Sequence, residues 1–79
     1  MKVKVTVMLK EGVLDPQGEA IKHALVSLKY KKVNSVRQGK VIELGLDETS
    51  EERANKSVRE MCEKLLANTV IESYEIEFV

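Results

Sequence analysis

Cysteine, histidine and proline each occur once in these 79 residues, tryptophan never, and aromatic residues make up only 4% of the chain. A lone Cys62 rules out an intrachain disulfide and a thiolate metal cage, and with only His23 to add, a mixed Cys/His zinc site fails as well. No apolar run is long enough to cross a bilayer. The opening MKVKVTVML alternates where a secretory leader would be continuously apolar, so a cytoplasmic protein with no membrane partner is expected. Excess charge is missing too: 13 Lys and Arg balance 13 Asp and Glu. Without a basic field or aromatic platforms, nucleic acid is not an expected partner.

A chain of this length forms one domain, 1–79, too small for its core to outweigh chain entropy comfortably. With disulfide and metal excluded, self-association is the remaining support.

What the sequence does contain is clear periodicity. Val3, Val5, Val7 and Leu9 alternate with Lys2, Lys4 and Thr6, the pattern of a half-buried strand. Gly12 turns the chain, Asp15 suits a helix N-cap and Pro16 the first helical position. Ala20, Ile21, Ala24, Leu25 and Leu28 then form one apolar stripe on a helix expected to run to about Tyr30. Two strand-like runs surround Gln38-Gly39-Lys40, read by default as a hairpin, with one long bent strand across residues 33–46 as the alternative. Thr49 with Glu52 fits a capping box, and Ala54, Val58, Met61, Cys62 and Leu65 form the stripe of a second helix, with Asn68 as its C′ residue. SYEIEFV closes the chain as a strand. The order predicts an α+β two-layer sandwich of the ferredoxin-like βαββαβ class, with both helices on one face of the sheet.

No catalytic set can be assembled. Cys62 sits on a core stripe and reads as a buried structural thiol, and His23 falls opposite the first helix's stripe. VRQGKV lacks the first glycine and the Ser/Thr of a phosphate loop, leaving Arg37 and Lys40 as two cationic tips near a turn. On the first helix His23, Val26 and Tyr30 share an outer face less charged than that of the second, which suggests a contact surface. Gly18 weakens a first helical turn. One reading is that it keeps the positive helix end clear for a partner's carboxylate or an anion.

LKEGVLDPQGEAIKHAL, VRQGKVIEL and MCEKLLANTVIESYEIE, in this order and spacing, resemble the PurS family across essentially the whole chain. Thr69 stands where a proline is often found in that family. PurS is the small subunit of phosphoribosylformylglycinamidine synthase in bacteria and archaea. The resemblance implies a non-catalytic subunit in de novo purine synthesis, a dimer or higher oligomer that joins a glutaminase subunit to a synthetase subunit and helps ammonia pass between them. It implies no cofactor on this chain, with ATP and Mg²⁺ on the synthetase. Asp15, Pro16 and Gly18 match the family's D-P-x-G, and Arg37, Gly39 and Lys40 match its R-x-G-K. These six are expected to make partner or anion contacts or to set backbone geometry. The rival reading is a stand-alone ligand-binding regulatory module on the same scaffold.

Overall fold

The computed structural model describes residues 1–79. Strand β1 (Lys2–Leu9) follows the alternation, and helix α1 (Pro16–Ser27) starts where Asp15 caps it. Strand β2 (Gly39–Gly45), helix α2 (Glu51–Met61) and strand β3 (Glu72–Phe78) complete the chain. The sheet is antiparallel throughout, in the order β2-β1-β3. Val3 pairs with Leu44 and Phe78, Val5 with Ile42 and Ile76, and Val7 with Lys40 and Tyr74. Paired residues share a face, so these rows form the inner surface. Lys4, flanked by Glu43 and Glu77, lies on the outer one.

Only α2 covers the inner surface. Val58, with Cys62 just past the end of α2, is fully buried against Val3, Val5 and Val7, and Ala54 is fully buried as well. The helix leans toward β3, where the Tyr74 hydroxyl donates to Glu63 at 2.8 Å. Ile42 and Leu44 of β2 are only half-buried.

Several expectations are corrected. The hairpin does not form: residues 33–38 make no strand, and Gly39 is already paired with Met8. The reason is local, because Arg37 and Gln38 are bound to the end of β1 and the start of α1, not folded back on β2. The alternative of one long bent strand across residues 33–46 fails as well: a single seven-residue strand, Gly39–Gly45, forms, and the fold is the ferredoxin-like arrangement without its outer strand.

Helix α1 does not lie on its own sheet. It makes no substantial packing contact with any strand, and Gly18 is its only buried residue. The stripe Ala20, Ile21, Ala24 and Leu28 is exposed and Leu25 half-buried. The helix projects, and the chain measures 49 × 25 × 14 Å with a radius of gyration of 16.0 Å, where a compact domain of this length would have about 12 Å. It ends one turn earlier than expected: Lys29, at φ +79°, and Tyr30 donate to Val26 and Leu25 carbonyls, closing a Schellman turn.

The second helix is capped by Ser50, whose hydroxyl accepts from Arg53 N–H, while the Glu48 carboxylate takes the N–H groups of Thr49 and Ser50. Thr49 is therefore not the cap. Beyond Met61 the helix widens into a π-helical turn, Cys62–Leu66, in which Ala67 N–H reaches the Cys62 carbonyl. One extra residue per turn shifts the stripe. Leu65 is thus 83% exposed, and Leu66 packs on the core in its place. Asn68 serves as a turn acceptor, for Val70, Ile71 and Glu72 N–H, and not as a left-handed cap.

Candidate functional site

The two motifs, some twenty residues apart in sequence, meet at one junction. Asp15 at the N-cap accepts from Gly18 N–H through Oδ1 (2.9 Å) and from Gln38 N–H through Oδ2 (2.8 Å). It is buried at 8% exposure. The Gln38 N–H, then that of Gly18, holds its carboxyl below the ordinary 3.8, with Arg37 adding to the effect. The variable residues of the motifs join as well, since Gln38 Nε2 donates to Gln17 Oε1 at 2.8 Å. Arg37 bridges two carbonyls at the end of β1, Leu9 at 2.8 Å and Lys10 at 3.0 Å.

The glycines are explained by close approach within the chain. A Cβ on Gly18 would collide with the Val36 carbonyl and with Asp15, and one on Gly39 with the Met8 sulfur and, at 2.6 Å, the Val7 carbonyl. The helix end is therefore not open: what approaches Gly18 is residue 36 of the same chain. The structure brings Asp15, Gly18, Arg37 and Gly39 together as a clamp that fixes the base of α1. Pro16 and Lys40 are exposed beside it. Lys40 forms no ion pair and lines a cleft of about 270 Å³ with Val7, Leu9 and Glu72.

His23, Val26 and Tyr30 are exposed on α1, as the opposite stripe also is. Sequence reasoning missed Gln17, Gln38 and Val36. The first two occupy the variable positions of the matched motifs, and their equal amide chemistry was the available signal. Cys62 is buried, and burial pushes its thiol up from the ordinary 9.0, away from nucleophilic character. No three His, Cys, Asp or Glu side chains are placed to hold a metal ion, and no helix is long and apolar enough to cross a membrane.

Residues 2–79 match the family model described as PurS, phosphoribosylformylglycinamidine (FGAM) synthase. The chain is 59% identical over 76 residues to the phosphoribosylformylglycinamidine synthase subunit PurS of Bacillus subtilis, covering 96% of this chain and 89% of that one. The PurS subunit of Archaeoglobus fulgidus is 47% identical, at 96% and 95% coverage. The structure of B. subtilis PurS superimposes with a TM-score of 0.86 over 96% of this chain and 94% of that one. A chain in the structure of PurLQS from Thermotoga maritima, 36% identical, reaches 0.90 over 99% and 95%.

Proposed function

The chain belongs to the PurS family, and from that premise we propose that it is the small linking subunit of its synthase, joining a glutaminase subunit to a synthetase subunit and assisting ammonia transfer. On this reading the complex converts formylglycinamide ribonucleotide, with ATP and glutamine, to formylglycinamidine ribonucleotide in purine biosynthesis. ATP and Mg²⁺ are bound by the synthetase.

The observation that carries the reading is the projecting α1. A helix with an apolar stripe that its own sheet does not cover belongs to a surface completed by another chain. Ile42 and Leu44 of β2, half-buried on the inner face, offer apolar surface for such a chain. A second copy satisfies both at once, its α1 lying over β2. The clamp at Asp15, Gly18 and Arg37 sets the angle at which α1 leaves the sheet, and Lys40 and Pro16 stand free at that corner for a partner subunit.

The test is reconstitution with the glutaminase and synthetase subunits, assayed first with glutamine and then with free ammonium. Omitting this chain should lower the glutamine-driven rate far more than the ammonium-driven one. Equal rates with and without it, on both nitrogen sources, would exclude a linking role.

A further inference from the structure

Helix α1 and the segment that follows it form one arm. The helix carries the chain about 18 Å outward, given the rise of its twelve residues. Residues 28–36 bring it back from the tip, since the Val36 carbonyl lies against Gly18. Apolar packing does not hold this arm to the sheet: α1 has no substantial contact with any strand, and Gly18 is its only buried residue. What ties it down is polar and sits at the base. The Asp15 carboxylate takes the Gly18 and Gln38 N–H groups, joining the outgoing chain to the returning one. Gln38 Nε2 binds Gln17 Oε1 across the same gap. Arg37 is the side chain that joins the arm to the sheet, donating to the Leu9 and Lys10 carbonyls at the end of β1.

Leverage makes this joint consequential. A tilt of about 20° at the base would carry the tip of α1 by about 6 Å, the spacing of neighbouring side chains on one helix face. Ile21, Leu25 and Leu28 would then miss the surface they fit. We propose that Arg37, with Asp15, Gln17 and Gln38, controls self-association by holding the arm in its docking pose before the second copy arrives. These are positioning residues, acting through the stripe on α1. The proposal rests on the second-copy reading above and adds to it what regulates that contact. A preset arm lowers the ordering cost of association, and a free arm lowers the fraction of chains able to dock. Each copy brings one arm, so the dissociation constant scales with the inverse square of that fraction.

The test is Arg37→Ala in the full chain, measured by sedimentation equilibrium. Both Arg37 bonds are solvent-exposed, so truncation opens no cavity in the core. The dissociation constant should rise roughly tenfold, as follows from a docking fraction reduced to about one third. Arg37→Lys, which keeps the charge without the planar fork, should restore only part of the loss. Gln17→Ala removes only the exposed amide pair and should weaken association in the same direction by less, which keeps a test in hand if Arg37→Ala does not fold. Residual dipolar couplings in the Leu25→Glu variant, whose stripe can no longer dock, separate the arm's pose from the contact. There Arg37→Ala should shrink the couplings of α1 relative to those of β1 and α2. Association as tight as wild type, or α1 couplings undiminished, would overturn the proposal and leave the second-copy reading standing. Full rescue by Arg37→Lys would make residue 37 a simple charge contact and overturn it too. A wild-type chain monomeric at every concentration would remove both.

Discussion

The carbonyl oxygen of Val36 occupies the space that a Cβ on residue 18 would need. Backbone from the return segment is pressed onto the first turn of α1, and only glycine permits it. Gly18→Ala should therefore destabilise the subunit itself, by roughly 1–3 kcal/mol as for other overpacked sites, and Gly18→Val by more. Chemical denaturation of the isolated chain measures this. Unaltered stability of the alanine variant would show that residue 18 faces open space.

Asp15 makes stability depend on pH in a defined direction. Its folded pKa is depressed below 3.8 because the N–H groups of Gln38 and Gly18 bind the carboxylate. The stabilisation is thus present above the unfolded pKa and is lost as pH falls through the folded value. Asp15→Asn should lower Tm by several degrees at pH 7, and the gap to wild type should close progressively below about pH 3.8. Thermal melts across that range check it.

Thermal stability should rise with protein concentration, because association would bury the stripe Ile21, Leu25 and Leu28, which the chain's own sheet does not cover. Leu25→Glu should yield a monomer by light scattering and abolish the concentration dependence, while β1 keeps slow amide exchange.

The π-helical turn makes neighbouring leucines unequal. Leu66→Ala should cost about 1–2 kcal/mol, being partly buried on the core, and Leu65→Ala less than about 0.5 kcal/mol. Equal costs would mean that the helix runs through without the extra residue.

At the tip, Lys29→Gly should raise stability by about 0.5–1 kcal/mol, since φ +79° strains a side-chain-bearing residue. Melts at fixed protein concentration test this directly.

Elements with strong local signals were legible in the sequence. Alternation placed β1 and β3, and the Asp15-Pro16 pair placed the start of α1. The candidate site was half legible: its motif residues cluster as a unit, but the sense of the contact was reversed. Gly18 looked like clearance for another molecule and is clearance for Val36. The hairpin failed because Gln38-Gly39 resembles a turn locally, whereas the Arg37 guanidinium and the Gln38 N–H find their acceptors at Leu9, Lys10 and Asp15. No pattern within the 33–46 run reveals acceptors that distant.

By itself, then, the sequence determined which residues would be apolar stripes, caps and strands, because those depend on the spacing of neighbours along the chain. Only the tertiary structure decided which stripe is buried and by what. The stripe of α2 meets Val3, Val5 and Val7 within the chain. That of α1 carries the same helical spacing and stays uncovered, because the clamp at its base aims it away from the sheet. Periodicity records that a face must be covered, and long-range geometry selects the chain that covers it.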